Sequence, residues 1–284
     1  MLAIAITEIA SYLVWFQIIP EFKNATVGNP TPFMSHISYN PILALAIYIS
    51  YYNIFIQNNL SKFKFFIYSF FALSMTINMF ITGGRAGQVM YFVMLTILIF
   101  QFFGKEKLKS LLTVFVLVPL IFFTAYQSSN IFQSRVDQAV NNTINFEINR
   151  NSSVGERINF AINTWDVIKE NPIIGVGTGD FPSEYKKINQ INSPQMQPTT
   201  NPHNMYTLVT MQLGFIGLMS LLSIFYFQIK LSFISQNKFF KDLGFALPIM
   251  FLVIMLSDSY LLGHYTTLVF VFFSSFLYKN FDKS

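Results

Sequence analysis

Residues 205 to 229 read MYTLVTMQLGFIGLMSLLSIFYFQI, a run of 25 residues without a charged side chain. A helix that crosses the hydrocarbon core of a bilayer needs about 20 predominantly apolar residues. This run therefore predicts a transmembrane helix. The whole chain agrees, because 53% of its 284 residues are hydrophobic and only 11% are charged, against about 25% charged in soluble proteins. These features exclude a soluble enzyme.

Seven further apolar runs have a similar length and few charged residues. Their approximate bounds are 2 to 19, 41 to 57, 63 to 82, 87 to 103, 109 to 126, 243 to 258 and 261 to 278. Together the runs predict an all-α integral membrane protein with about eight transmembrane helices. The first run starts at the initiating Met without a basic residue before it, so it predicts a retained helix and not a signal peptide.

The predicted organisation has three parts. Residues 1 to 126 contain transmembrane helices one to five, residues 127 to 204 form a long loop, and residues 205 to 284 contain helices six to eight. Lysine and arginine accumulate in short cytoplasmic loops. Ten of the fourteen lysines fall in every second loop, at positions 62, 64, 105, 107, 109, 230, 238, 241, 279 and 283. Both termini are then cytoplasmic, and the long loop faces outward.

All four arginines, Arg85, Arg135, Arg150 and Arg157, lie on the predicted outward side. A guanidinium group binds phosphate through paired hydrogen bonds, so this side is predicted to bind an anion. For Arg135 and Arg150 the favoured interpretation is contact with the headgroups of membrane lipids. The net charge of +5 is interpreted as a consequence of membrane topology, and no nucleic-acid partner is expected.

The long loop is predicted to contain an amphipathic helix at about residues 154 to 170. Residues 153 to 156 fit the capping-box pattern at a helix start, and residues 171 to 172, Asn-Pro, end the helix. An apolar stripe lies between them at helical spacing: Ile158, Ala161, Ile162, Trp165 and Ile168. Such a stripe suits a helix at the bilayer surface or against the outer ends of the spanning helices. Arg157 lies in the first turn, where free N–H groups and the helix dipole favour an anion.

Two further features of the loop concern binding chemistry. The segment GVGTGD at 175 to 180 lacks both the third glycine of a dinucleotide fingerprint and the Gly-Lys-Ser/Thr of a phosphate loop. It is interpreted as a turn that seats the loop. The chain has no cysteine, and its three histidines, His36, His203 and His264, are far apart in sequence. Neither a metal site nor another cofactor is therefore predicted.

Three motifs occur in order on the predicted outward side. The first is TGGRAG at 82 to 87. The second runs from Glu156 and Arg157 through Trp165 to NPIIGVGTGDF at 171 to 181. The third is His203-Asn204 followed by GFIGL at 214 to 218.

In these motifs the chain, over about residues 63 to 278, resembles the bacterial O-antigen ligase and O-antigen polymerase superfamily of polytopic inner-membrane proteins. Two departures accompany the resemblance. Family members usually carry additional helices before this region, and a carboxylate that is often found two residues before the first glycine of the third motif is Gln212 here.

The resemblance implies transfer of a glycan from a polyprenyl-pyrophosphate carrier to the lipid A core at the periplasmic face of the inner membrane. Arg85 and Arg157 would stabilise charge on the departing pyrophosphate, and His203 would take the proton of the acceptor hydroxyl. Asn204 would orient the acceptor or the imidazole. Further candidate substrate contacts are Asp180, Tyr185 and Lys186. Transfer is expected to need no metal and to invert the anomeric carbon.

Other functions stay open. Within the superfamily, the acceptor distinguishes a ligase from a repeat-unit polymerase and from a protein O-oligosaccharyltransferase. The ligase is favoured because the two arginines and the histidine match that branch. A lipid or anion transporter and a noncatalytic scaffold are alternatives from other classes. Coupled carriers place ionisable residues near the membrane midplane, whereas Glu8 and Asp258 are the acidic residues within or at the ends of the predicted spans.

Overall fold

The computed structural model describes residues 2–23, 25–57, 60–145 and 150–279. In these ranges the chain forms eleven helices and no sheet, which confirms the predicted all-α class. The helices are α1 (Leu2–Trp15), α2 (His36–Phe55), α3 (Lys62–Ile81), α4 (Arg85–Phe103), α5 (Lys107–Ser128), α6 (Asn130–Ile144), α7 (Ser153–Glu170), α8 (Phe181–Asn192), α9 (Met205–Ile234), α10 (Lys238–Ile254) and α11 (His264–Leu277).

Four of the described helices, α3, α4, α5 and α9, are long and apolar enough to cross a bilayer. Helices α1 and α11 are apolar but shorter, with 14 residues each. Large apolar side chains along α5, such as Phe115 and Phe123, are exposed, and lipid accepts such a surface without penalty. The chain is therefore a multi-pass membrane protein. The count of eight spans and the outward face of the long loop stay predictions.

The chain forms two compact units. The first comprises Met1–Val136 and Asn237–Met250, and the second comprises Asp137–Gln236 and Phe251–Ser284. In the first unit, α2 packs against α3 and α4, α4 packs against α5, and α1 packs against α3. In the second unit, α7 packs against α8 and α9. Besides α7, the predicted loop region contains α6 and α8, which the sequence analysis did not identify.

Buried polar side chains connect the helices of the first unit. The Tyr39 hydroxyl donates to Oδ1 of Asn78 at 2.9 Å, and the Thr82 hydroxyl donates to Oδ1 of Asn40 at 2.9 Å. Helices α2 and α4 also approach closely, because a Cβ on Gly87 would lie only 2.1 Å from Cβ of Asn40. Small residues and interhelical hydrogen bonds are the usual means of holding membrane helices together. They fix the α3–α4 hairpin that carries the first motif.

In the second unit, the turn after α7 and a break in α9 complete each other's hydrogen bonds. Gly214 has φ 64° and ψ −167°, which interrupts α9. The Val176 N–H donates to the Met211 carbonyl at 2.9 Å, and the Phe215 N–H donates to the Pro172 carbonyl at 2.8 Å. Because a broken helix leaves backbone groups without partners, which is costly away from water, these bonds stabilise the break.

Glycine is required on both sides of this crossing. A Cβ on Gly214 would lie 2.1 Å from the Ile173 carbonyl oxygen, and a Cβ on Gly175 would lie 2.4 Å from the Gln212 carbonyl carbon. Gly175 also has φ 71°, a left-handed conformation that favours glycine. The glycine-rich segment thus forms a turn whose partner is the break in α9.

Candidate functional site

His203 lies between the long loop and α9 in a strained backbone conformation. Its φ is 52°, in the left-handed region that residues with a side chain rarely adopt. Its backbone N–H donates to Oδ1 of Asn201 at 3.0 Å, which helps to hold this conformation. The side chain is 35% exposed. Strain of this kind costs on the order of 1–3 kcal/mol and clusters at functional sites.

A carboxylate from a different part of the second unit contacts the imidazole. Nδ1 of His203 is buried and lies 3.2 Å from Oδ1 of Asp258, whose side chain is 14% exposed. The pair becomes an ion pair when the imidazole is protonated. The same oxygen accepts the Ser259 N–H at 2.7 Å and Nδ2 of Asn201 at 3.2 Å.

These contacts keep Asp258 ionised. Burial by itself raises the pKa of this carboxyl, but the His203 imidazole and the hydrogen bonds from Ser259 and Asn201 outweigh burial, and the pKa lies below its ordinary value. Asn201 is fixed in turn, because its Oδ1 also accepts the Ser259 hydroxyl at 2.7 Å. The Asp258 carboxylate is thus held beside Nδ1 of the His203 imidazole, and Nε2 is left for proton transfer.

Aromatic packing orients the imidazole ring from α7. The ring of Phe160 stacks on that of His203 with centroids 6.0 Å apart and an interplanar angle of 25°. Tyr185 of α8 packs edge-on against Phe160 at 5.9 Å. Phe160 is buried, and so the imidazole has a fixed apolar neighbour as well as a fixed carboxylate.

Tyr185, a predicted substrate contact, is completely buried. Its hydroxyl accepts Nδ2 of Asn163 at 3.2 Å and donates to Oδ1 of Asn189 at 3.4 Å. Asn189 Nδ2 donates to the Met196 carbonyl at 2.8 Å, which extends the same polar network. The burial favours a packing role over contact with substrate, because no part of this side chain reaches the surface.

Asn204 serves as the N-cap of α9. Its Oδ1 accepts the N–H groups of Tyr206 at 2.9 Å and Thr207 at 3.1 Å, and its Nδ2 donates to the Leu256 carbonyl at 3.2 Å. These bonds use the side chain to start the helix that follows His203. The Asn204 side chain therefore already serves as the cap of α9. Its role in orienting the acceptor or the imidazole stays a prediction.

Two more predicted contacts lie on the surface of the second unit. Asp180 is exposed at the start of α8, and Lys186 is exposed on that helix. The structure brings neither of them into contact with His203. Their assignment to substrate stays a prediction.

Arg157 is the fifth residue of α7, just after the first turn, and its side chain is exposed. The capping pattern predicted Ser153 as the N-cap, whereas the helix begins one residue earlier. The N-cap hydroxyl of Ser152 accepts the Gly155 N–H at 3.1 Å. Within the described ranges the Arg157 guanidinium has no hydrogen bond or ion pair. Burial raises the pKa of Tyr260 well above its usual range, and the charge of Arg157 acts against this rise. The guanidinium therefore acts electrostatically on the segment that contains Asp258.

Arg85 belongs to the first unit, where it is the first residue of α4 and half-buried. The N-cap, Gly84, supplies no side-chain hydrogen bond. Backbone N–H groups and the helix dipole at such an end favour a bound anion. Arg85 thus combines a guanidinium group with a position at a helix N-terminus, and both suit a bound phosphate.

The model of the O-antigen ligase family matches residues 70–222, which is more than half of the chain. The chain belongs to the O-antigen ligase family. The family consists of membrane glycan transferases of the ligase and polymerase type, which act on lipid-linked glycans. The matched residues include Arg85, Arg157 and His203, whereas Asp258 lies beyond them. A comparison with curated proteins finds no match.

Membership of the O-antigen ligase family confirms the resemblance. One side chain that the structure places beside His203, Asp258, was not predicted as a site residue. Asp258 was interpreted only as an acidic residue at the end of a predicted span. Ionisable residues in such positions are functional candidates by default, so this signal was present in the sequence. Among the described residues no three His, Asp or Glu side chains form a metal-binding group. Metal independence of the reaction stays a prediction.

Proposed function

We propose that the chain is an O-antigen ligase that moves an oligo- or polysaccharide from a polyprenyl-pyrophosphate carrier to the lipid A core. The observation that carries the proposal is the contact between His203 and Asp258 in a member of this family. A strained, one-third exposed imidazole beside a buried carboxylate is suited to act as a general base. We place the reaction at the periplasmic face of the bacterial inner membrane, on the basis of the lysine distribution.

In the proposed reaction, Nε2 of His203 accepts the proton of an acceptor hydroxyl. The hydroxyl oxygen bonds to the anomeric carbon as the bond from that carbon to the pyrophosphate oxygen breaks. The electron pair of the broken bond leaves with the polyprenyl pyrophosphate, and this single displacement inverts the anomeric carbon. Asp258 stabilises the imidazolium that forms and holds the ring, as a carboxylate does in other histidine-based catalytic pairs.

The two arginines have a separate task. Arg157 and Arg85 are proposed to bind the pyrophosphate and to stabilise the negative charge that grows on it as the bond breaks. Because pyrophosphate is already a good leaving group and guanidinium groups supply the positive charge, the proposed reaction needs no metal ion. Arg85 is the first residue of α4 and Arg157 is the fifth residue of α7, so both lie near a helix N-terminus, where the dipole favours an anion.

The test is made in a deletion strain that is complemented with the wild-type chain, with His203→Ala, or with the matched control His264→Ala. His264 is an exposed histidine of the second unit at the start of α11. At equal membrane abundance, glycan blots of envelope lipids are compared. We expect wild type and the control to restore glycan on the lipid A core. We expect His203→Ala to leave polymer on the polyprenyl carrier, with transfer reduced about 100-fold or more.

Each other outcome identifies a different function. Lipid A core that carries single repeats in the deletion strain indicates a polymerase, and loss of glycan from proteins indicates a protein O-oligosaccharyltransferase. Full activity of His203→Ala would overturn the assigned role of the imidazole. Unchanged glycolipids and glycoproteins in the deletion strain would overturn the transferase proposal as a whole.

A further inference from the structure

Helix α7 has two faces of different character. Phe160 and Asn163 lie on the buried face, where Phe160 stacks on His203 and Asn163 donates to the Tyr185 hydroxyl of α8. The opposite face is apolar, and its side chains follow one another at helical spacing. It consists of Ile158, Ala161, Ile162 and Trp165, here called the outer stripe. One face of α7 thus holds the His203 imidazole, and the other is left for a partner.

The outer stripe is exposed. Ile162 and Trp165 are 53% and 50% exposed. The sequence is compatible with two partners for an apolar stripe in this helix, the bilayer surface and the outer ends of the spanning helices. The exposure leaves the bilayer surface. Ile168, which helical spacing also assigned to the stripe, is buried and does not belong to it.

The turn that follows α7 lies on the lipid-facing surface of α9. Ile174 lines a groove together with Leu213 and Ile216 of α9, and all three side chains are exposed. The Ile216 N–H also donates to the Ile173 carbonyl at 3.4 Å. Because α9 is long and apolar enough to cross a bilayer, its exposed apolar side chains contact lipid tails. The chain is therefore already at the membrane directly after α7.

The length of α9 indicates how deep this turn lies. The helix has 30 residues, whereas about 20 residues cross the hydrocarbon core. Lys230 marks the end of α9 that is predicted to be cytoplasmic, and about 20 residues before it the chain reaches Thr210. The crossing of the turn with α9 then lies at the outer edge of the core. Glu170 ends α7 only two residues before Pro172, whose carbonyl accepts the Phe215 N–H. Since two residues span at most about 7 Å, α7 ends close to the same edge.

A helix at this depth is stabilised when its apolar face lies among the lipids. Removal of apolar surface from water contributes about 25 cal/mol per Å², and an indole ring prefers the level of the headgroups. Exposed basic residues flank the outer stripe, because Arg157 directly precedes it and Lys169 lies one turn after Trp165. Long basic side chains beside an apolar face reach lipid phosphates while their stems stay on the apolar surface. Composition and position both match a helix in the membrane interface.

We propose that the outer stripe of α7 enters the outward leaflet at the boundary between headgroups and acyl chains, so that the membrane surface is the partner of this face. The opposite face then holds His203 at the level of the headgroups. The contact with lipid stands without the proposed function, but its consequence rests on that function. A base at this level reaches an acceptor and a pyrophosphate that are anchored in the same leaflet, and it does not serve glycans in solution.

The experiment uses the two tryptophans of the chain, Trp15 and Trp165. Trp15→Phe leaves Trp165 as the single fluorescent reporter. The full chain is reconstituted in vesicles of phosphatidylethanolamine and phosphatidylglycerol whose acyl chains carry bromine either near the headgroup or near the chain end. Acrylamide is the quencher in the water phase. The matched control places Gln190→Trp in a chain without the two native tryptophans, because Gln190 is an exposed residue of the polar helix α8.

We expect bromine near the headgroup to quench Trp165 at least about twofold more than bromine near the chain end, because an interfacial helix lies only about 5–10 Å deep. Acrylamide should quench Trp165 at least about twofold less than it quenches the Gln190→Trp control, since the lipid shields the indole ring. The control should respond to acrylamide and not to brominated lipid.

Ile162→Glu tests the consequence for transfer. Its site is exposed, so the unfolding midpoint in detergent should match that of wild type. In vesicles this variant should lower transfer at least about fivefold, because a carboxylate is disfavoured at the apolar boundary. Ile162→Leu keeps the stripe apolar and should retain the wild-type rate. Gln190→Glu, which adds the same charge to the exposed face of α8, is the matched control and should also retain it.

Two fluorescence results would overturn the proposal. One is acrylamide quenching of Trp165 as strong as that of the control, and the other is protection of Trp165 from both quenchers, which would indicate a protein partner. The fluorescence assay contains neither donor nor acceptor. Quenching of Trp165 by brominated lipid in a chain without transferase activity would support this inference and overturn the proposed function. Transfer by Ile162→Glu at the wild-type rate would leave the proposed function standing and overturn this inference.

Discussion

Asp258 contacts Nδ1 of His203 at 3.2 Å, so the residue after the loop is paired with a residue after α10. The carboxylate is fixed by the Ser259 N–H and by Asn201, and the imidazole is fixed by its own backbone and by Phe160. Asn201 contributes to both, because its Nδ2 donates to Asp258 and its Oδ1 accepts the His203 N–H. This arrangement makes Asp258 a positioning residue that acts through His203.

Asp258→Asn is expected to lower kcat for glycan transfer at least about tenfold with little change in KM for the donor, because the amide retains the shape but not the charge that stabilises the imidazolium. Asp258→Glu should recover part of the rate, which a purely structural role would not require. The measurement is steady-state transfer with purified enzyme. Asp166→Asn, which removes an α7 carboxylate that pairs with Lys169, is the control. Equal rates for Asp258→Asn and wild type would remove Asp258 from the mechanism.

Gly214→Ala is expected to prevent formation of the crossing between α9 and the turn after α7. The added Cβ would overlap the Ile173 carbonyl at 2.1 Å, and the left-handed backbone alone costs on the order of 1–3 kcal/mol in a residue with a side chain. Thermal unfolding and membrane yield should both fall. Gly28→Ala is the control, since its Cβ has open space. A variant as stable as this control would contradict the steric argument.

Tyr185→Phe distinguishes packing from substrate contact. Removal of the hydroxyl takes a hydrogen-bond partner from Asn163 inside the buried network, so the free energy of unfolding should fall by about 1 kcal/mol. KM for donor and acceptor should not change, because the side chain is buried. The measurements are thermal unfolding and transfer kinetics. A raised KM with unchanged stability would instead support the role predicted from the sequence.

Acidification is expected to destabilise the ligand-free protein through His36. Burial and the charges of Arg135 and Arg85 lower the pKa of this imidazole, so the folded state binds fewer protons than the unfolded state once the pH falls below about 6.5. Stability present at neutral pH is then lost as the pH falls toward the lowered pKa. The unfolding midpoint of wild type should drop more than that of His36→Gln between about pH 7.5 and about pH 5.5. Parallel pH profiles for the two proteins would contradict this prediction.

Local sequence patterns were enough to predict the helical membrane class, the position of α7 and the family. The apolar runs determine a helical membrane protein, because lipid requires backbone hydrogen bonds within the segment. The capping box and Asn171-Pro172 predict a helix at about 154 to 170, where α7 runs from Ser153 to Glu170. The three motifs were sufficient to identify the family. Each of these inferences depends on residues that are neighbours in the chain.

Only the tertiary structure decided which distant residues meet. The pairing of Asp258 with His203, the fit of Gly214 against the turn after α7, and the burial of Tyr185 all depend on packing between separate helices. Helices α6 and α8 also escaped the sequence analysis, because polar helices in a loop carry no long apolar run. Periodicity and composition report what one segment prefers. Long-range contacts are set by the shape and hydrogen bonding of surfaces that come together only when the chain folds.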